Sequence, residues 1–340
     1  MEPVPRTSQP RSPTIRDVAR RAGVGVGTVS RVLNDSPQAS PEARARVRRA
    51  VEELGFRRSA AARTLSLGRS QAVGVLAPFF TSPSVVDRLR GVAERLAQRG
   101  YDLVLFDVET LQQRADAMHD FARRDRVAGL LVISLPLSDD ELERTRREEL
   151  PVVLVDVVHP GVPHVGIDNV AGGELAGRHL LAKGHRRIAF VGDAPTNPFG
   201  FTSSEDRRRG FRNALERAGI EPPAGHERTA AHGREQARAL AESLLAHADP
   251  PTAVFAASDL QAIGVLEAAA AAGVRVPEDL AVIGFDDIEM ASAVGLTTVR
   301  QPLRQSGARG TDLLLAAIEG SDDAPGEQLD PLAVIERRTT

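Results

Sequence analysis

AGVGVGTVSRVLN, residues 22–34, sets Gly23, Gly25 and Gly27 between valines ahead of a helical tail. Glycines at this spacing cradle a nucleotide's phosphates when a β-strand runs directly into them. Here they follow TIRDVARRA, residues 14–22, in which Ile15, Val18, Ala19 and Ala22 recur at helical spacing on one face and Thr14 is placed as an N-cap. Gly23 suits the end of that helix, since glycine takes a left-handed conformation without steric cost. A second helix starts near Gly25. Its Val29, Val32 and Leu33 share the inner side, while Gly27, Ser30, Arg31 and Asn34 face outward. Ser40-Pro41-Glu42 opens a third helix, with Ser as cap and Pro at the first helical position, running to about Leu54. Three short helices joined by tight turns predict an all-α helix-turn-helix headpiece. Its small, polar, cationic outer face suits the floor of the DNA major groove, where an arginine grips guanine through two bonds.

The charge distribution agrees. Residues 1–70 carry 14 Arg against 6 acidic residues, and the remainder carries 29 Lys and Arg against 40 acids, although the whole chain of 340 residues is only −3. The front is built for a polyanion. No apolar run reaches the roughly 18 residues of a membrane span, and MEPVPRTSQPRSP at residues 1–13 has no apolar stretch resembling an export signal, so a cytoplasmic protein with no membrane partner is expected. The absence of cysteine removes disulfides, thiolate chemistry and cysteine-ligated metals together.

TIRDVARRAGVGVGTVSRVLN, followed by SPEARARVRRAVEELGF at 40–56 and AARTLSLGRS at 61–70, resembles the headpiece and hinge of the lactose repressor family, of which the purine repressor is a similar member. The resemblance implies that Val26, Gly27 and Arg31 fall where members vary their base readout. It also implies that Thr28, Ser30 and Asn34, together with Thr14, complete the DNA-binding set. A hinge over Ser59–Leu67, with Ala62, Arg63 and Leu65 at the matching positions, would fold into a short helix on the operator and wedge its leucine into the minor groove. Three departures are Gly25 for the family's usual Ser, Arg58 for Pro and Ser59 for Asn. Without the family, the hinge reads as a marginal Ala-rich helix or a plain linker.

From Gln71 onward, buried parallel strands (AVGVLA, YDLVLFD, VAGLLVIS, VVLVDV, then RRIAFVG, TAVFAAS, LAVIGFD) alternate with amphipathic helices near 85–99, 111–124, 139–148, 169–183, 205–219, 234–247 and 259–272. Two doubly wound lobes are implied, with ligands bound beyond the carboxyl ends of their strands. By resemblance this is a two-lobed α/β core similar to periplasmic sugar-binding proteins, the chain crossing between lobes near 169–173, 299–303 and 333–336. The expected organisation is a disordered arm at 1–13, the headpiece at 14–58, the hinge at 59–70 and the effector-binding and dimerisation core at 71–340. Its N-lobe takes about 71–170 and 303–332, and its C-lobe about 171–302 and 333–340.

Arg207 in SSEDRRRGF matches the family's effector-gripping arginine and Asp286 in VIGFDD its acceptor for ligand hydroxyls or amines. Read from the residues alone, Arg207 is also consistent with a solvated start of a helix, and Asp286 or Asp287 with an N-cap. Ser258 and Asp259 after one strand, and Asp156 after another, are open to either reading. Ser84 and Val85 stand where many members carry an aromatic pair, and Val157 where the purine repressor has a stacking ring; Phe79, Phe80, Phe199 and Phe201 are available as substitutes.

These features together predict a sequence-specific DNA-binding transcriptional regulator, a repressor. It would act as a homodimer on a pseudo-palindromic operator, controlled by a sugar or other small polar metabolite in the interlobe cleft. The alternative, a periplasmic-type binding protein without DNA function, lacks the export signal it needs and has no use for a basic headpiece. Catalysis, metal and cofactor are not expected. Eight scattered His give no i, i+4 pair with a third ligand, and no G-x-S-x-G or G-x-x-x-x-G-K-[ST] motif occurs.

Overall fold

The computed structural model describes residues 13–33, 36–56, 70–121, 126–321, 326–329 and 331–340. The chain divides into two compact units, Met1–Ser70 and Gln71–Thr340.

In the first unit, α1 (Ile15–Ala22) opens on a capping box and stops at Gly23, whose φ of 63° only glycine adopts freely. The second helix, α2, spans Val26–Leu33; α3 (Pro41–Leu54) is capped by Ser40, with Pro41 in its first turn, and ends at Gly55. Val18, Val29 and Val47, one from each helix, are wholly buried and meet in a small aliphatic core. Arg44 closes the α2–α3 loop, donating from Nε to the carbonyl of Ala39 at 3.3 Å and from Nη2 to that of Ser36.

The second unit holds two six-stranded sheets. The first sheet comprises β1 (Ala72–Pro78), β2 (Asp102–Val108), β3 (Gly129–Ile133), β4 (Val152–Val155), β5 (His164–Gly166) and β11 (Glu327–Gln328), in the order β11-β5-β4-β3-β1-β2. The second has β6 (Ile188–Asp193), β7 (Glu227–Ala230), β8 (Ala253–Ala256), β9 (Ala281–Asp286), β10 (Thr297–Arg300) and β12 (Ala333–Ile335), in the order β12-β10-β9-β8-β6-β7. Both are doubly wound. β12 runs antiparallel to β10, and the other described pairings are parallel. The helices are α4 (Pro83–Arg99), α5 (Leu111–Phe121), α6 (Asp139–Arg147), α7 (Asn169–Ala182), α8 (Ser203–Arg217), α9 (Arg234–Leu245), α10 (Asp259–Ala271), α11 (Glu289–Val294) and α12 (Leu303–Ile318). The chain passes between sheets at 167–168, at 301–302 and again between β11 and β12; the third crossing, expected near 333–336, thus comes just before β12, an edge strand. Among the described residues no helix is long and apolar enough to cross a membrane, and no group of three or more His, Asp or Glu could hold a metal ion.

Glycines set how closely the helices approach. A Cβ on Gly91 of α4 would lie 2.0 Å from the Arg304 carbonyl of α12, and one on Gly307 of α12 would lie 2.0 Å from the Arg88 carbonyl of α4. The second lobe repeats the arrangement: Gly173 of α7 meets the Arg207 carbonyl at 1.9 Å, and Gly210 of α8 meets the Val170 carbonyl at 1.8 Å. No rotamer change can relieve a Cβ driven into a backbone carbonyl, so the helices themselves would have to separate. Gly210→Ala should therefore destabilise the core by roughly 2 kcal/mol or more, overpacking of this kind usually costing 1–3. Urea unfolding checks it, and an unchanged midpoint would show that the α7–α8 spacing is not set by this contact.

Candidate functional site

The headpiece presents the outer face of α2. Val26, Gly27 and Arg31 are exposed, Thr28 and Ser30 are half-buried, and Val29 and Val32 face the core. Gly25 and Gly27 have ordinary backbone conformations, and a Cβ on either would meet nothing within 4 Å among the described residues. Packing therefore requires neither glycine, and the smallness of this face is a property offered to something outside. The Arg31 side chain makes no hydrogen bond or ion pair among the described residues, whereas Arg20 and Arg21 are paired with Asp17 and Glu53. Thr14 fills the cap role expected of it and not the DNA-contacting one. Its hydroxyl donates to Asp17 Oδ2 at 2.7 Å and accepts from the Asp17 amide at 3.4 Å, so no donor is left for a phosphate and the side chain is a helix cap. Asn34, Ala62, Arg63 and Leu65 lie outside the described residues.

Between the two sheets of the second unit lies a cavity of about 510 Å³. Residues at the strand ends line it, and several hold left-handed backbone that favours glycine: Phe79 (φ 45°) after β1, Ser134 (56°) after β3, Asp156 (66°) after β4 and Asp286 (123°) closing β9. Non-glycine residues in this region carry strain of order 1–3 kcal/mol, and such strain gathers at binding sites.

Two arginines are buried against the cavity. Arg207, on the first turns of α8, donates from Nε to Asn169 Oδ1 at 2.9 Å and from Nη1 to the Ala257 carbonyl at 2.7 Å. Its Nη1 lies 3.8 Å from Asp286 Oδ1, and its Cζ sits 3.7 Å over the Phe285 ring. Burial pulls its pKa down, opposed by Asp286 and Asp156. It is not a solvated helix start. Arg88 of α4 is only 2% exposed; its Nη2 is 3.0 Å from Asp156 Oδ2 and donates to Gln301 Oε1 at 3.1 Å, and its Nε has no partner among the described residues.

The carboxylates follow one rule. Asp156 Oδ2 pairs with Arg88 and accepts from the Ser134 hydroxyl at 2.9 Å; Asp286 Oδ1 accepts from Gln301 Nε2 at 2.5 Å; Oδ1 of Asp193, which closes β6, accepts from Gln261 Nε2 at 2.8 Å and lies 3.0 Å from His232 Nδ1. In each case the second oxygen has no protein partner among the described residues. Burial pushes the Asp286 carboxyl up, with Arg207, Arg88 and the Gln301 amide opposing it. Neither Asp286 nor Asp287 caps α11, whose N-cap is Ile288; Asp287 pairs with Arg300 and Arg337 at 2.6 Å each.

The remaining expected residues divide. Ser84 and Val85 line the cavity, as does Ser258, whose hydroxyl also caps α10. Asp259 does not. It is wholly buried behind the strand ends, with Oδ2 accepting the Ile288 amide at 2.9 Å and Oδ1 the Thr298 hydroxyl at 2.5 Å, so both oxygens tie α10 to β10 and the loop after β9. Burial, reinforced by the Asp286 charge, holds its carboxyl well above the usual range. Phe199 is likewise core. It packs with Leu76 and Leu135 of the first lobe, behind Phe79 and Phe201, which do line the cavity, with ring centroids 5.7 and 5.4 Å away. Arg88, Asp193, His232 and Gln301 were missed. Asp193 closes a strand as Asp286 does, and Arg88 is a cation on the apolar stripe of Val85, Val92 and Leu96, both patterns that a reading of the residues contains. Asp259→Ala should leave the Ile288 amide and the Thr298 hydroxyl without partners, at about 1–3 kcal/mol. Chemical denaturation measures this cost, and a variant as stable as the wild type would return Asp259 to the list of ligand residues.

Comparison with known proteins bears on both regions. Residues 14–59 match the family model described as bacterial regulatory proteins, lacI family, and residues 178–340 that of a periplasmic binding protein-like domain. The ribose operon repressor of Escherichia coli (strain K12) is 37% identical over 310 residues, covering 90% of this chain and 93% of that protein. A crystal structure of the Lac repressor dimer bound to operator and the anti-inducer ONPF superposes with a TM-score of 0.83 at 28% identity, over 97% of this chain and 99% of that one. A LacI family transcriptional regulator from Enterococcus faecium with bound ribose gives 0.70 at 28% identity, over 79% and 98%.

Proposed function

The chain belongs to the lacI family of bacterial regulatory proteins, and from that premise we propose which residues read its operator and what chemistry its cleft accepts. It is a DNA-binding transcriptional regulator and not an enzyme. A purely ligand-binding protein is not favoured, because the family's DNA-binding model matches residues 14–59. We infer that it represses from the cytoplasm as a homodimer, two headpieces reading the halves of a pseudo-palindromic site. Arg31 is the guanine-reading side chain, Val26 and Gly27 let α2 seat closely, and Thr28 and Ser30 support it.

The effector is a small neutral sugar. The observation that carries this is the set of half-used groups in the cleft: Asp156, Asp193 and Asp286 each keep one oxygen without a protein partner, and Arg207 Nη2 likewise has none, among the described residues. A hydroxyl both donates and accepts, so a polyol satisfies facing carboxylates and guanidinium together. A phosphate would meet three carboxylates, and a purine would find Val157 where a stacking ring is needed. D-ribose is the first candidate, since a 37% identical relative is a ribose operon repressor and the Enterococcus faecium structure holds ribose. Sugar bound across the cleft biases lobe closure, for which a coupling of roughly 1–3 kcal/mol suffices.

Selection of bound genomic fragments identifies the operator. On it, Arg31→Ala should lose roughly 1–3 kcal/mol of discrimination per half-site, measured on single-base operator variants; discrimination equal to wild type would place base reading elsewhere. Arg207→Ala should weaken sugar binding by about 2–5 kcal/mol, the cost of truncating a buried hydrogen-bonded charge, while ligand-free operator binding stays at the wild-type level. Calorimetry beside a gel-shift assay tests both halves, and a normal sugar response in this variant would move the effector out of the cleft.

A further inference from the structure

His232 sits in the loop between β7 and α9 and lines the cleft. Its Nδ1 is 3.0 Å from Asp193 Oδ1. That oxygen also accepts the Gln261 amide at 2.8 Å, so it is an acceptor twice over and Nδ1 must carry its hydrogen. The tautomer is thereby fixed, and the ring's other nitrogen, Nε2, has no protein partner among the described residues. About a third of the side chain remains open. Nε2 then has two states: a lone pair that accepts when the ring is neutral, or an N–H that donates when the ring is charged.

We propose that His232 is a ligand-contacting specificity residue whose protonated Nε2 donates to a sugar oxygen, making effector binding weaker as pH rises. The inference rests on the sugar reading of the cleft. The surroundings favour the charged ring. Burial disfavours it, but the hydrogen bond and charge of Asp193 on β6, joined by Asp286 on β9, outweigh burial and the opposing Arg207 on α8, so the pKa stands above the ordinary histidine value. The remaining charged groups on the same cavity are Arg88, Asp156, Asp168, Asp206 and Arg209. The sign follows. A raised histidine contributes its charge fully below about pH 6.5, and the contribution is lost as pH rises through the value held in the folded cleft.

The test uses the full chain and neutral sugars, which do not titrate in this range: D-ribose, D-xylose, D-glucose and D-galactose, by calorimetry at pH 6 and pH 8.5. Whichever binds should do so roughly tenfold more weakly at the higher pH, the effect of losing one charge-assisted hydrogen bond. His232→Gln keeps a donor without a titration, so its affinity should be flat between the two values. In parallel, ring-proton NMR of the ligand-free protein should show His232 titrating above about 6.5 and returning toward that value in Asp193→Asn. A wild-type His232 that titrates at the ordinary value, or a His232→Gln protein with the wild-type pH slope, overturns the proposal and leaves the sugar reading standing. No binding of any of the four sugars at either pH overturns the sugar reading and the proposal that rests on it.

Discussion

The core of this regulator depends on helices that touch backbone to backbone. In each lobe two helices exchange glycine contacts, and in each lobe one of the contacted carbonyls belongs to the arginine that faces the cleft: Gly307 against Arg88 and Gly173 against Arg207. A guanidinium buried beside a carboxylate is useful only if it is held to within a fraction of an ångström, because the Coulombic gain must offset a large desolvation cost. Long side chains cannot supply that precision themselves. It comes from anchoring their Cα atoms, and a glycine pressed on the carbonyl is the stiffest anchor that a helix pair provides.

The same demand explains why the cleft concentrates unfavourable features. Phe79, Ser134, Asp156 and Asp286 hold left-handed backbone, Arg88 and Arg207 are buried cations, and burial pushes the Asp286 carboxyl up. None of these stabilises the fold in isolation. The surrounding sheets compensate through fully buried strands such as β3, β8 and β9. What the strain secures is a ring of polar groups each satisfied on one side, which a ligand completes and water fills less specifically.

The helix and strand pattern was legible wherever an element had to bury a long apolar run. The seven strands that periodicity predicts and the helices between them fall within a few residues of where it puts them, as do the caps at Thr14, Gly23 and Ser40. What escaped were the short strands β5, β7, β10, β11 and β12, of two to four residues; β7, β11 and β12 are edges, and pairing at this length is decided by neighbouring strands, not by local pattern. In the cleft, the strand-end rule found Asp156 and Asp286 but could not tell Asp259, whose carboxylate turns back into the protein, from a ligand contact. That distinction depends on Ile288 and Thr298, some 29 and 39 residues away. His232 gave no signal at all, since nothing local to the loop between β7 and α9 shows that its side chain lines the cleft.

Gln301 shows how one ligand can bias both lobes. It occupies the second crossing, accepts from Arg88 of the first lobe through Oε1 and donates to Asp286 of the second through Nε2, so the pairs Arg88–Asp156 and Arg207–Asp286 are joined through a single amide. An effector shifts a conformational equilibrium only by its difference in affinity for the two states. A sugar that touched one lobe alone would have no such difference for lobe closure. One that engages both arginine–carboxylate pairs completes its contacts only when the lobes are set as the Gln301 bridge requires. The amide has one acceptor and one donor side, so its orientation is fixed by the charges on either hand: carbonyl toward Arg88, NH₂ toward Asp286. Reversing either charge would leave the crossing with two groups it cannot satisfy together, and the two arginine–carboxylate pairs would lose the amide that joins them.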